Sequence, residues 1–307
     1  MSIEYAIIVK NKTRLESLIE RFNTRAQAKF YIERLGGDFE DYEREHEIFY
    51  SSLNAVQSQL TKVVKHKIVD RAFVPSYIFS EKNIIIVIGQ DGLVANTAKY
   101  SRGISIVAVN PDPDRYDGVL LPFNTSNFLQ GVEGVMADQY HADTKRFAEA
   151  KLNDGQRLLA FNDLFIGASS HISARYRITH GIKTEEHSSS GLIVSTPAGS
   201  TGWLSSMMNM AYGITNAFGG NQKPKRPVFK ENELIFAVRE PFKSIRTQTE
   251  ITLGSISQKS HLKIESLMPS NGVIFSDGIE TDFLNFNSGS IATIGLASET
   301  AQLVINQ

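Results

Sequence analysis

Asp91 sits in the string Gly89-Gln90-Asp91-Gly92, after the apolar run Ile84–Ile88 and before a helix-like run from Leu93 to Tyr100. A carboxylate at a tight turn from strand to helix can orient an acceptor hydroxyl and take up its proton. The N–H groups and the dipole at such a helix start favour anionic phosphate. Glycines at 89 and 92 let the backbone come close to it. Asp-Gly is also among the commonest turn pairs, so this string alone serves an ordinary turn as well. A second string is more particular. Gly191-Leu192-Ile193-Val194-Ser195 reads as a strand and runs into Thr196-Pro197-Ala198-Gly199-Ser200-Thr201-Gly202-Trp203. Small residues, hydroxyls and free N–H groups at a helix start again suit phosphate or a base edge; a helix capped by Ser or Thr is the plainer alternative. Third, Asn162-Asp163 interrupts the apolar stretch from Leu158 to Ile166. Burying two polar residues is costly unless they are paired. They either hold a base or ribose hydroxyls, or form a bulge with its own local network. Together the three strings point to a nucleotide phosphoryl-transfer site with Asp91 at its centre.

Other candidates are weaker. Lys62 to Lys67 and Lys223 to Arg226 read as solvated surface rather than phosphate clamps. The seven histidines show no zinc-ligand spacing. Ser188-Ser189-Ser190 lacks the Gly-x-Ser-x-Gly elbow of a serine nucleophile.

The elements that must position these residues follow from periodicity. Strands are expected at 5–10, within 65–73, at 84–88 and at 104–109. Helices are expected at 15–22, at 25–35 behind a Thr24 cap and before a Gly36-Gly37 stop, at 41–60, after Asp91, and from 127 to 136 with an extension towards Tyr140. Alternating strands and helices argue for a doubly wound parallel sheet. Asn110 to Asp114 breaks any regular element, and Tyr116-Asp117-Gly118 reads as a turn. Beyond about residue 145 short strand-like segments dominate, at 157–166, 173–179, 192–195, 233–238, 251–253, 261–264, 272–275, 290–295 and 301–305. One helix, 202–210, follows the second glycine string, and Gly219 to Pro227 is the expected mobile loop. The fold expected is therefore an α/β domain over 1–140 and a β-rich, β-sandwich-like domain over 141–307, with the last strand returning to the first.

Composition narrows the function. The chain has 307 residues, 41% of them hydrophobic, and a net charge of -1. That balance makes no electrostatic case for nucleic acid or an anionic membrane. There are no cysteines, which excludes disulfides, thiolate metal sites and cysteine nucleophiles and fits a cytoplasmic protein. Met1 to Tyr5 lacks the basic and apolar regions of a signal peptide. No run approaches the roughly 18–20 apolar residues that span a bilayer.

Taken in order, these strings resemble the NAD kinase family, within the wider group that includes diacylglycerol and sphingosine kinases. Gly89 to Gly92 is similar to the family's Gly-Gly-Asp-Gly, Asn162-Asp163 to its Asn-Glu, and Gly191 to Trp203 to its Gly-Leu-Ile-Val-Ser-Thr-Pro-Thr-Gly-Ser-Thr-Ala-Tyr. Asp277-Gly278 is similar to its late Asp-Gly turn. Asn110 to Pro113, Phe161 to Ser173 and Val238 to Pro241 look more like the mitochondrial-type branch. The resemblance covers about residues 80–305. It implies two domains with the site in a cleft between them, homodimers or homotetramers, and transfer of the γ-phosphoryl group of ATP (or phosphate from polyphosphate) to the 2′-hydroxyl of the adenosine ribose of NAD or NADH. By that resemblance Asp91 is catalytic, Gly89 and Gly92 shape its turn, and Asn162 contacts adenine. Asp163 contacts ribose, and Thr196, Gly199, Ser200, Thr201 and Gly202 line the nucleotide pocket. Trp203 takes a stacking place, and Mg²⁺ rides on the phosphates without protein side-chain ligands. Three residues depart from the pattern. Gln90 replaces a glycine and would be strained if φ there were positive. Leu93 replaces threonine. Ser190 stands where an acidic residue reads the nicotinamide end. A kinase of the same fold acting on a nucleoside, sugar or lipid head group, and a nucleotide-binding regulator without catalysis, are the rival expectations.

Overall fold

Five β-branched apolar residues in a row, Ile84 to Ile88, are stiff at χ1 and favour a pleated backbone. In the computed structural model, which describes residues 3–220, 228–230 and 232–306, they form the strand Asn83–Ile88 and all five are fully buried. A strand buried on both faces belongs to a covered parallel sheet. Its neighbours Tyr5–Lys10 and Ser105–Asn110 both run parallel to it, and Lys65–Asp70 extends the sheet beyond Tyr5–Lys10. Beyond Ser105–Asn110 the sheet continues through the end of the strand Ile291–Val304, where Gln302 pairs with Ser105 in parallel.

The chain divides into two compact units, 1–144 with 301–307, and 145–300. In the first, Phe39–Leu60 lays Phe49, Leu53, Val56 and Leu60 on Ala6, Ile8, Ile84, Ile86 and Ile88, at the near-helical spacing that the sequence shows. Phe128–Met136 adds Phe128 and Val132 to the same face. Ahead of them, Arg14–Phe22 starts in a capping box between Thr13 and Glu16, and Arg25–Arg34 is capped by Thr24. These helices pack Leu15 and Ala28 on Phe39.

The second unit is two layers of antiparallel strands. One sheet has the order Leu253–Ser257, Glu233–Val238, Leu192–Ser195, Asp163–Ala168, Gly272–Ser276, Ile279–Asn285. The other includes Lys183–Ser189, Ala174–His180, Leu262–Ser266 and Ile291–Val304. Alternation divides the first sheet's side chains. Leu164, Ile166, Leu192 and Val194 join the core shared with Ile178, Ile264 and Ile294 of the other sheet. Phe165, Ile193, Ile235 and Val273 face outward and are covered in part by the helix Trp203–Ala217 through Leu204, Met207 and Met208.

Several elements depart from the sequence expectation. The helix from Phe128 stops at Met136, because Asp138 turns left-handed (φ 56) and Gln139 N–H closes onto Gly134 O. The stretch 157–166 is two strands, Arg157–Ala160 and Asp163–Ala168, broken at Phe161-Asn162. The segments 290–295 and 301–305 are one continuous strand. The strand expected at 251–253 instead runs Leu253–Ser257. Ala142–Leu152, Lys183–Ser189 and Ile279–Asn285 are strands whose polar content hid them. Trp203–Ala217 outlasts its expected end at 210. The expected mobile loop beyond Gly220, with Lys223 to Arg226, lies outside the described residues.

Candidate functional site

Asp91 is the first residue of the helix Asp91–Ala98, directly after the buried strand and its Gly89-Gln90 turn. A carboxylate in the first turn is favoured by the helix dipole. Oδ1 accepts a 2.7 Å hydrogen bond from Leu120 N–H, and no described residue donates to Oδ2. One oxygen is thus anchored, and the other has no described donor. Gln90 sits at φ -108, ψ 166, an ordinary extended conformation for a residue before a helix, so its side chain causes no strain. The unusual φ, 157, belongs to Gly89, where a Cβ would come within 3.0 Å of Leu93 Cδ2. The concern raised by Gln90 therefore dissolves. Leu93 is buried under the turn.

In the second unit, the break at Phe161-Asn162 is built by side chains from two other segments. Asp277 and Gly278 both have positive φ (54 and 70) and link Gly272–Ser276 to Ile279–Asn285 in a two-residue hairpin turn. From that turn Asp277 accepts three backbone hydrogen bonds. Phe161 N–H reaches Oδ2 at 3.0 Å, and Asn162 and Asp163 N–H reach Oδ1 at 2.6 and 3.2 Å. The free carbonyls on the other side are met by Thr196, whose Oγ1 donates to Phe161 O at 2.5 Å and whose N–H donates to Asn162 O at 2.9 Å. Gly199 N–H then donates to Thr196 Oγ1 at 3.2 Å. Gly199 is a close-approach glycine, since a Cβ there would lie 2.2 Å from Asn162 O. Asn162, Asp163, Thr196 and Gly199 are thereby one assembly. Of the two alternatives for Asn162-Asp163, the local network is real, and it leaves the half-buried Asn162 side chain with no described hydrogen-bond partner.

Asp163 is buried, and that burial, with the Asp277 carboxylate nearby, pushes its carboxyl up to about 7. It is the described carboxyl most strongly shifted towards neutral working pH. Ser200 is half-buried while Thr201 and Gly202 are exposed. Gly202 is the cap of Trp203–Ala217, with no side-chain hydrogen bond. The Ser and Thr hydroxyls of this string are therefore not spent on capping that helix.

Trp203 stacks on Phe165 (5.6 Å between centroids, 6° between planes), and Phe165 stacks on Phe275 at 4.8 Å. The Arg239 guanidinium lies over Trp203 and Phe165 at 5.1 and 5.7 Å. These aromatics form one wall of a cavity of about 1210 Å³ that also takes in Ser190 and Glu240. Such a volume admits a nucleotide-sized ligand. The segments holding Phe165, Arg239 and Glu240 stand out in the sequence, but none of the three, nor Phe275, is assigned to the site there, because only the antiparallel register brings them together. Ser190 donates to Glu240 Oε2, and Ser189 Oγ shares a 2.8 Å hydrogen bond with Tyr176 OH. Neither hydroxyl is set against a histidine. Lys62, Lys65 and Lys67 are exposed, as solvated surface should be.

With this geometry in hand, similarity to known proteins has a concrete meaning. A NAD kinase of Heliobacterium modesticaldum is 31% identical over 130 residues, covering 39% of this chain and 44% of that protein. A bifunctional NADP phosphatase/NAD kinase of Methanococcus maripaludis is 28% identical over 167 residues, 52% of this chain and 27% of that protein. The chain thus spans less than half the length of these curated relatives. A yeast NADH kinase solved with NADH superposes with a TM-score of 0.57 at 14% identity, over 100% of this chain and 85% of that one. An Archaeoglobus fulgidus NAD kinase solved with ATP superposes with a TM-score of 0.55 at 15% identity, over 99% and 94%. Part of the sequence is thus similar to NAD kinases, and the whole chain shares their fold. No protein-family model matches it. The NAD kinase fold is the α/β unit and two-layered β unit described above.

Two measurements check the assembly around Asp277. Asp277→Ala strands three backbone N–H groups and should lower unfolding free energy by about 3 kcal/mol in denaturant titrations. Asp163 binds its proton more tightly folded than unfolded. Its stabilising effect is full below pH ~4 and is lost as pH rises from there to about 7. Asp163→Asn should remove a slope of up to about 1.4 kcal/mol per pH unit across that window, and the variant should gain on the parent above pH 7.

Proposed function

We propose that this chain transfers the γ-phosphoryl group of ATP to the 2′-hydroxyl of the adenosine ribose of NAD or NADH. The observation that carries the reading is Asp91 at the head of its helix, one carboxylate oxygen anchored by Leu120 N–H and the other without a described donor. Oδ2 is the atom to orient the acceptor hydroxyl and receive its proton as the oxygen attacks phosphorus. Homology to NAD kinases supports the choice of acceptor, and the neighbour solved with ATP supports the choice of ATP over polyphosphate.

Recognition falls to the second unit. The Asn162 amide offers a donor and an acceptor to the edge of adenine. The Asp163 carboxyl, part protonated near neutrality, can both give and take hydrogen bonds with ribose hydroxyls. The exposed Thr201 and Gly202 line the approach, with Ser200 behind them, and Trp203 presents a stacking face. Among the described residues no three His, Asp or Glu side chains gather to hold a metal. A divalent cation would accompany the phosphates, whose charge it would neutralise. No described helix is long and apolar enough to cross a membrane. A cytoplasmic homodimer or homotetramer completes the reading, and light scattering reads the assembly state.

The test is ATP-dependent formation of NADP from NAD, run beside NADH, polyphosphate and a panel of other hydroxyl acceptors. Asp91→Asn should lower turnover at least about 100-fold while leaving nucleotide binding within a few-fold of the parent. Full activity in that variant would refute the assignment. Phosphorylation of a different acceptor alone would move the reading to another substrate of the same chemistry.

A further inference from the structure

Seven described residues other than glycine have positive φ, and five of them are Asn or Asp, which tolerate that conformation. Arg102 (φ 52) and Glu240 (φ 48) remain. Arg102 precedes Gly103 in an exposed turn between secondary elements. Glu240 is different, because it lines the aromatic-walled cavity. Strain of this kind persists only where the surroundings enforce it, and it collects at ligand sites. The enforcing contacts are present. Ser190 N–H donates to Arg239 O at 3.0 Å, Arg239 N–H to Gly191 O at 2.8 Å, and Phe242 N–H to Ser188 O at 2.8 Å. Ser190 Oγ then holds the Glu240 carboxylate itself. Four hydrogen bonds thus clasp a strained turn to the end of a neighbouring strand and fix where an exposed carboxylate stands.

The cavity's charges say what it would hold. Its one guanidinium, Arg239, is spread over the faces of Trp203 and Phe165, while Glu240 and Glu280 bring two carboxylates to the wall. That balance repels a bare phosphate and suits a neutral or cationic planar ring carrying N–H donors. We propose that Glu240 is the specificity-determining residue of this cavity, accepting a hydrogen bond from the exocyclic amide or amino group of a nucleotide ring laid against the Phe165–Trp203–Phe275 wall. The ring is a nicotinamide or a nucleobase; the choice of these ligands rests on the NAD kinase reading above.

Trp203 is the chain's only tryptophan, so its fluorescence reports on this cavity alone. The full-length protein is titrated with nicotinamide mononucleotide and, separately, with AMP. Quenching by the first identifies the nicotinamide, quenching by the second the base, and either supports the proposal provided Glu240 is needed for it. In E240G the carboxylate is gone and the left-handed backbone is relaxed, since glycine adopts φ 48 freely. The ring ligand should bind at least tenfold more weakly while Tm stays level or rises. A residue with only a structural role would move Tm down or leave binding unchanged. E240Q keeps the side chain's length and should weaken the same ligand in the same direction. The KM for NAD should rise at least tenfold in both variants with kcat within about twofold. Absence of quenching by either ligand, or unchanged affinity in E240G, overturns the assignment of Glu240. If the parent makes NADP and the variants match its KM, Glu240 is excluded and the kinase reading stands. If the parent makes no NADP but ring binding depends on Glu240, the reaction is wrong and the cavity's specificity stands.

Discussion

In the second unit, the strand break at Phe161-Asn162 depends on one carboxylate gripping three consecutive backbone N–H groups. Asp277 receives Phe161, Asn162 and Asp163 at a place where strand pairing has lapsed, and without it those groups would be buried donors with nothing to meet. Its reach is set by the two-residue hairpin turn at Asp277-Gly278, where both residues have positive φ. Thr196 meets the carbonyls from the opposite side, and Gly199 fits under Asn162 only because it lacks a Cβ. A turn residue, a strand break and a glycine string far apart in sequence are therefore a single mechanical object. Asp163 bears the consequence. Its burial, with the Asp277 carboxylate beside it, drives it towards the protonated state.

This explains what could be read from the chain and what could not. The strands Tyr5–Lys10, Leu192–Ser195 and Glu233–Val238 were legible to the residue, because continuous apolar or β-branched runs bounded by polar residues have one solution. The caps Thr13 and Thr24 act locally, and Thr24 could be named from sequence. Lys183–Ser189 was not legible. Lys-Thr-Glu-Glu-His-Ser-Ser carries no apolar alternation, and it is a strand because all seven residues pair with Ala174–His180. Its buried Glu185 accepts from His187 and from the backbone N–H groups of Glu250 and Ile251, a tertiary arrangement no local pattern announces.

The candidate site shows the same division. Asp91, Asn162, Asp163 and the Thr196–Trp203 string stand out because small, polar and apolar residues alternate abruptly there, and the structure places Asn162, Asp163, Thr196 and Gly199 in contact. The Gln90 position misled, since sequence shows which residue is unusual but not which φ needs a glycine. That demand falls one residue earlier, at Gly89. Phe165, Arg239, Glu240 and Phe275 were not assigned to the site because Phe165 and Phe275 lie on different strands and Arg239-Glu240 at the end of a third. Their meeting depends on the pairing of Asp163–Ala168 with Gly272–Ser276 and with Leu192–Ser195, which in turn pairs with Glu233–Val238.

Alternation along those strands also separates the two-layered core from the outward face that carries the cavity wall. Leu164, Ile166, Leu192 and Val194 point into the two-layered core, and their neighbours Phe165 and Ile193 point out. Changes at Phe165 alter the cavity wall without opening a void between the sheets. Ser190 and Glu240 sit at the ends of two such strands, where pairing gives way to turns and side chains are least constrained by the core. A carboxylate can therefore be delivered to the same stretch of wall from either strand end, provided the partner strand presents a group to hold it. Here the holding group is the serine hydroxyl and the carboxylate comes from the neighbouring turn, in a backbone conformation held by hydrogen bonds to Ser188, Ser190 and Gly191.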